Sequence, residues 1–253
     1  MRSLFSLPDP AGEIREAGGA IAVRVDSMPG RELNRIIGLY DVAYLDQLAA
    51  TYEGLPYWVS LDPEAGLDRE LTARGFVPDG AWQKFERGVE RMQAQTDLEV
   101  SEARSRDHFA HVTRATWGLP PDAARWLAAP AAHPDWHCFV AYDGDEPVAG
   151  GLLYAQGDVG WLGVTSTLVE HRGRGAQGAI LAARIDRARE LGVCLLVTET
   201  GAPEEGEPGP SYRNILRAGF DPAYVRPNYV PARADAGSSS SSGSRPSCPR
   251  ART

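Results

Sequence analysis

The turn His171-Arg172-Gly173-Arg174-Gly175-Ala176-Gln177 concentrates more potential chemistry than any other stretch of the chain. An apolar run, Gly160 to Thr167, enters it, and a helical pattern leaves it. Glycines at 173 and 175 remove Cβ atoms that would keep a bulky anion off the main chain. Free amides at the start of the next helix point outward, and the helix dipole favours negative charge there. Arg172 and Arg174 add charge-assisted donors. A strand, a Gly/Arg turn and a helix N-terminus together predict a pyrophosphate cradle that includes Gly178. Two common phosphate motifs fit it less well. The nucleotide-triphosphatase loop needs a lysine, which this turn lacks. Gly173-Arg-Gly175-Ala-Gln-Gly178 spells a dinucleotide fingerprint, but it follows a hairpin instead of opening a βαβ unit.

The elements that must hold this turn are legible around it. Cys138 to Tyr142 and Val148 to Tyr154 read as a hairpin closed by Asp143-Gly144-Asp145. Apolar residues Ala176, Ala179, Ile180, Ala183, Ala188 and Leu191 recur at helical spacing, with Arg184, Arg187 and Glu190 mainly on other faces. That helix stops at Gly192, and the strand Val193 to Thr198 follows. Helices are expected at 106–117 and 122–128. Upstream, strands are expected at Ala20 to Val25 and Tyr57 to Leu61, with helices at 44–52 and 68–74. The polar stretch Met92 to Asp97 separates the two halves. A faint repeat links them, because Arg69 to Pro78 overlays Arg213 to Pro222 with arginine, an aliphatic residue, Gly-Phe and proline in step. The last stretch, from Arg233 to Thr253, is rich in Ser, Gly, Pro and Arg and is expected to be disordered.

Bulk composition narrows the function classes. The chain has 253 residues, 43% hydrophobic and 24% charged, which suits one large or two modest globular domains. No apolar run of about 18 residues is present, so no membrane span is expected. The N-terminal segment Met1 to Pro8 is broken by proline too early for a secretory signal. Three cysteines, Cys138, Cys194 and Cys248, have no metal-ligand spacing and suggest a reducing cytoplasm. A net charge of −8 disfavours nucleic acid. Lys84 is the only lysine among 26 basic residues, a bias that reads as genomic composition. The histidine pairs His108/His111 and His133/His137 do not predict a metal site. The first lacks a third ligand, and Pro134 interrupts the second.

Arg172-Gly-Arg-Gly175-Ala-Gln177 resembles the signature of the GNAT superfamily of acyl-CoA-dependent N-acyltransferases, Arg/Gln-x-x-Gly-x-Gly/Ala, which lies between a strand and the following helix. Gln177 departs from the small residue at its last place, and Gly178 follows at once. The resemblance extends from about Leu98 to Val230 and includes a closing helix that ends in Gly219-Phe220. It implies a mixed-sheet α/β fold of tandem type in two domains, 1–95 a degenerate copy and 96–232 the acetyltransferase, with 233–253 a tail. The upstream copy spells the signature only at Arg15-Glu-Ala-Gly18-Gly-Ala20, which does not open a helix, so one coenzyme site per chain is expected.

By the same resemblance, acetyl-CoA is the cosubstrate and no metal is needed. Thr167, Leu168 and Val169 would pair their backbone with the pantetheine arm. Arg172, Gly173, Arg174, Gly175, Ala176, Gln177 and Gly178 would wrap the pyrophosphate, and Asn214 could meet the thiol end. The family's acidic tyrosine falls on Ile215 here; Tyr212, one turn earlier, is the substitute. Glu199, after the apolar run Leu195 to Thr198, is the candidate base, its pKa raised by burial. Trp117, Trp126 and Trp136 either flank an acceptor groove or join the core. The acceptor would be a small-molecule or peptide amine, with no nucleic-acid or membrane partner; a homodimer is compatible. The competing reading is a catalytically silent acetyl-CoA-binding sensor.

Overall fold

The computed structural model describes residues 12–28, 30–203 and 208–232. The tail from 233, with Cys248, lies outside them. Among the described residues the strands form one sheet of eleven. The first half contributes β1 (Gly12–Ala17), β2 (Ala20–Val25), β3 (Arg35–Ile37), α1 (Leu45–Ala49), β4 (Trp58–Ser60), α2 (Asp68–Ala73) and β5 (Phe76–Arg87). The second contributes β6 (Glu99–Glu102), α3 (Arg106–Trp117), α4 (Ala123–Ala128), β7 (Trp136–Asp143), β8 (Glu146–Gln156), β9 (Val159–Thr167), α5 (Ala176–Glu190), β10 (Leu195–Gly201), α6 (Pro210–Arg217) and β11 (Asp221–Pro231). The spatial order is β1-β2-β3-β4-β11-β5-β10-β9-β8-β7-β6. Two neighbours are parallel, β3 with β4 and β9 with β10; the other pairs are antiparallel.

The order shows how the halves join. β5 of the first half lies between β11 and β10 of the second, and β11 in turn reaches β4. Both segments of the sequence repeat feed this join. Gly75 follows the C-cap of α2 and Gly219 that of α6, each glycine left-handed (φ 79° and 78°) as a helix stop requires. The phenylalanines that follow are buried, and the strands they lead into pair antiparallel from Phe76↔Pro231 to Asp221↔Glu86. Thus the repeated segments sit in equivalent places about the centre of the sheet. The polar stretch 92–97 carries no helix or strand and connects β5 to β6.

Helices cover both faces. α3 is capped by Ser105, whose side chain accepts from the Asp107 amide, and it closes on Gly118 (φ 63°). Its Phe109 and Ala110 pack with Trp126, Val140 and Leu152, and also with Val23 and Val25 of β2, so the halves share a core. On the opposite face, Leu181, Ile185 and Ala188 of α5 pack with Leu153, Leu162 and Leu196. Arg184 departs from the expected polar face of α5 and is only 1% exposed.

Five strands escaped the sequence reading. β5 carries Pro78-Asp79-Gly80 among its first residues, turn-type residues that mask a strand. β1 pairs with β2 around Gly18-Gly19, both left-handed, so the upstream signature is a hairpin turn. β3 has three residues and β6 is polar and at the edge, so neither shows an apolar alternation. β11 carries Pro222, Pro227 and Pro231, which argue against a strand. Its register shifts between Pro222 and Tyr224 and between Pro227 and Tyr229, and these irregularities absorb two of them.

The join includes a buried polar pair: Ser60 Oγ of β4 donates to Asn228 Oδ1 of β11 at 2.6 Å, and both residues are at most 1% exposed. Ser60→Ala leaves that oxygen without its donor, at a cost of about 1–3 kcal/mol. Urea unfolding is expected to show a lower midpoint with an unchanged m value; an unchanged midpoint would mean that this pair contributes nothing to the join.

Candidate functional site

β9 and β10 pair from Val159↔Leu195 to Leu162↔Thr198 and then part. β9 continues to Thr167 against β8 alone, and β10 continues to Gly201 against β5 alone. A cleft of about 1720 Å³ opens at this fork. It is bordered on one side by the turn 171–178 and on the other by residues of β3 and β5. The volume exceeds the ~300–1,000 Å³ of ordinary small-molecule sites and suits two reactants side by side.

The fork has a local cause. Gly150↔Ser166 and Leu152↔Gly163 are successive pairs of β8 and β9, so Val164 and Thr165 together face Gly151. This bulge bends β9 away from β10. Val164 takes a left-handed φ of 50°, which for a β-branched residue stores about 1–3 kcal/mol of strain. Arg184 braces the bulge from beneath. Its Nη1 donates to the carbonyls of Leu152 (2.9 Å) and Gly163 (3.3 Å), and its Nη2 donates to Thr165 Oγ1 (3.2 Å). Its Nε reaches the Ile180 carbonyl. Burial without a carboxylate partner pulls the guanidinium down to about 9. Sequence reasoning missed this residue because helical spacing placed it on a polar face, where only the bulge opposite gives it donors' work to do.

The turn after β9 is built as an anion site requires, although not all of its residues face the cleft. Gly173 and Gly175 are left-handed (φ 81° and 78°). Gly175 is the N-cap of α5 and supplies no side-chain bond to the helix amides. The first-turn donors of Ala176, Gln177 and Gly178 therefore lack a side-chain cap, the condition that favours an anion. The reason for glycine at 175 differs from the one expected. A Cβ there would run into the Gln95 carbonyl, whereas one at Gly173 would meet nothing within 4 Å. The connection from β5 to β6 thus passes over the turn, and Thr96 Oγ1 donates to the Arg174 carbonyl at 2.8 Å. Arg174 itself is turned toward Asp97 and Asp143, donating to Asp143 Oδ2 at 2.5 Å and also contacting Asp97. Those hydrogen bonds hold both carboxyls below their ordinary range and raise the guanidinium. Arg172 and Arg217 border the cleft and make no ion pair among the described residues. Gln177 Oε1 accepts from Asn214 Nδ2 at 2.6 Å, which ties α5 to α6 at the cleft wall. Thr167 borders the cleft; Leu168 is buried and Val169 is 67% exposed.

Glu199 is the first residue of β10 beyond the fork, and it pairs with Lys84 of the neighbouring strand β5. Its side chain is 11% exposed. Apolar burial was the expected environment. Instead, Arg35 Nη2 donates to Oε1 at 3.3 Å, and Lys84 Nζ is in direct contact with Oε2. Burial, together with the neighbouring Arg226, lowers the Arg35 guanidinium to about 10. Burial, with Arg35 and Arg226, lowers the Lys84 ammonium to about 6. Sequence reasoning missed Arg35 and set Lys84 aside; the lone lysine was the available signal.

Tyr212 packs edge-on against Phe85, with ring centroids 4.9 Å apart, among the α6 core residues, while Ile215 reaches the cleft. Trp126 and Trp136 border the cleft and also belong to the core, and Trp117 is 42% exposed at the rim. Trp136 lies tilted against Tyr154 (ring centroids 4.8 Å apart) and edge-on to Trp161 (6.0 Å), forming an aromatic wall. The histidines have other partners: His108 bonds Tyr142 and His137 bonds Glu102. Among the described residues no three His, Cys, Asp or Glu converge as a metal site, and no helix is long and apolar enough to cross a membrane.

Residues 98–206 match the family model described as Acetyltransferase (GNAT) family. Among solved structures, the fold is similar to a GCN5-related N-acetyltransferase from Kribbella flavida, with TM-score 0.61 at 20% identity over 91% of each chain. A GCN5-related N-acetyltransferase from Sphaerobacter thermophilus gives TM-score 0.62 at 16% identity, covering 85% of this chain and 81% of that one. A tandem GNAT protein from the clavulanic acid biosynthesis pathway gives 0.57 at 17%, covering 88% and 84%. No curated protein matches the chain.

Arg184→Leu removes the donors that satisfy the Leu152 and Gly163 carbonyls beneath the fork. Each buried acceptor left unpaired costs about 1–3 kcal/mol, so the melting temperature is expected to fall by several degrees. Calorimetric melting tests this, and an unshifted transition would show that the bulge holds without its brace.

Proposed function

We propose, from the GNAT acetyltransferase domain at 98–206, that the chain transfers an acetyl group from acetyl-CoA to the amine of a small molecule or peptide. The observation that carries this reading is the fork of β9 and β10 directly before an uncapped helix N-terminus. Beyond Leu162, one edge of β9 has no strand partner, so its amides and carbonyls can pair with the amide-bearing pantetheine arm as a sheet edge pairs with an added strand. The first-turn amides of α5, with Arg172 and Gly178 beside them, would receive the pyrophosphate. That arrangement delivers the thioester into the fork, beside Glu199.

On the opposite side the cleft offers an aromatic wall and the Arg35–Glu199–Lys84 cluster, where an amine would enter. Direct attack requires the amine to lose a proton and the thiolate to gain one. Glu199 is the carboxylate nearest the fork, and in this reading it accepts the proton. Tyr212 is left to packing against Phe85, and the leaving thiolate takes its proton from solvent. A second reading, coenzyme binding without transfer, is favoured by one observation: Ile215, which has no proton to give, occupies the wall where the resemblance places an acidic tyrosine.

Gly178 is the third residue of α5, and a Cβ there would come no closer than 3.8 Å to Ala94, so a side chain fits. A glutamate at this place folds back onto the amides an anion would take. Gly178→Glu is expected to weaken CoA binding at least about tenfold by like-charge and direct competition, with an undiminished melting temperature. Calorimetry of CoA binding checks it; equal affinity would remove the cradle from the coenzyme site.

Glu199→Gln is expected to lower acetyl transfer by roughly 10²–10⁴-fold, the usual contribution of a general base, while CoA affinity stays within a few-fold. Release of free thiol from acetyl-CoA over a panel of amines measures it. Equal turnover in parent and variant would acquit Glu199, and no turnover by the parent with any amine would favour the binding-only reading.

A further inference from the structure

Among 26 basic residues Lys84 alone carries a primary amine on its side chain. Its place is the one where acyl chemistry is proposed. The residue sits on β5 opposite Glu199, one position beyond the last β9–β10 pair, and it borders the same cleft as the turn 171–178. An arginine would satisfy the Glu199 ion pair at least as well, since its planar fork suits a carboxylate and it holds its charge when buried. What lysine adds is an amine that can lose its proton and attack a carbonyl.

We propose that Lys84 is itself an acetyl acceptor, so that the chain modifies its single lysine from the acetyl-CoA bound in its own cleft. The inference rests on the coenzyme reading above. The neutral Nζ attacks the thioester carbonyl carbon; a C–N bond forms and the C–S bond breaks. The ammonium proton passes to Glu199, which touches Nζ, and one proton finishes on the departing thiol. One amine and one thioester thereby give one amide and one free CoA thiol, with no other reactant.

Three features of the site support the step. Burial, reinforced by the guanidinium groups of Arg35 and Arg226, holds Lys84 at about 6, so the neutral nucleophile is present at neutral pH. The carboxylate that must take the proton is already in contact. The side chain is 16% exposed, and that exposure borders the cleft, so the amine is reachable from the fork and shielded from bulk water. The amide product can neither take up nor give up a proton, so Arg35 is left as the one charged partner of Glu199 at any pH, and the acceptor side of the cleft loses its amine.

The test uses the full chain with acetyl-CoA and no added acceptor. Intact-mass and peptide mapping are expected to show one added acetyl group, on the peptide that contains Lys84, either formed during incubation or already present after purification. Lys84→Arg should carry none, and Gly178→Glu should acetylate Lys84 at least tenfold more slowly. Acetyl-CoA bound by calorimetry with Lys84 unmodified over many hours would overturn the inference and leave the coenzyme reading standing. Equal labelling of Lys84 in Gly178→Glu or in urea-unfolded chain would also overturn it, as plain chemical acylation. Absence of acetyl-CoA binding would instead defeat the reading on which it rests.

Discussion

The separation of β9 from β10 after Leu162 and Thr198 is the constraint on which the site depends. Two parallel strands that stay paired would bury their edges in each other and leave no main chain for a ligand. Here a bulge with a left-handed Val164 turns β9 aside, and Arg184 spends a buried positive charge on the carbonyls thereby exposed below. A guanidinium buried without a counterion is costly. It is tolerated because nearly every donor has a fixed acceptor, and the outcome is an unpaired strand edge held rigidly at the mouth of a cleft.

The second half does not build this cleft alone. β10 pairs with β5 beyond the fork, and the same stretch of β5 supplies Trp82 and Lys84 to the cleft. β3, from still earlier in the chain, supplies Arg35. The first half is thus the other wall of the cleft rather than an appended body, and its own Gly-Gly signature is spent on a hairpin. The connection 92–97 adds a further dependence, since it crosses Gly175 and holds the turn through Thr96. An insertion of even one side chain at Gly175 would disturb this crossing before any ligand was concerned.

Charge is arranged in two separate groups. Arg174 is neutralised by Asp97 and Asp143 on the outer side of the turn and shapes the loop, while Arg172 and the helix amides face inward. Around Glu199, one buried guanidinium, that of Arg35, and one amine compete for a single carboxylate, and the group best able to give up its charge is the lysine. A buried cluster with more cations than anions favours the loss of one proton, and this marks the acceptor side of the fork as the place where a proton can move.

The pattern Arg172-Gly-Arg-Gly175, the helix after it and the hairpin before it were readable from the chain alone, because turn chemistry and helical spacing are local properties. The span of α3, 106–117, was readable in the same way, and in the structure Ser105 and Gly118 cap it. Non-local properties decided the rest. Three-residue β3, polar β6 and proline-bearing β11 are strands only because neighbours far along the chain complete their hydrogen bonds. Arg184 is buried because a bulge on another element offers it carbonyls, and Arg174 faces away because Asp97 and Asp143 converge on it. Glu199 could be picked out as a residue at a strand end, but its two cations come from β3 and β5. Which charges surround a group is settled only when distant strands are brought side by side.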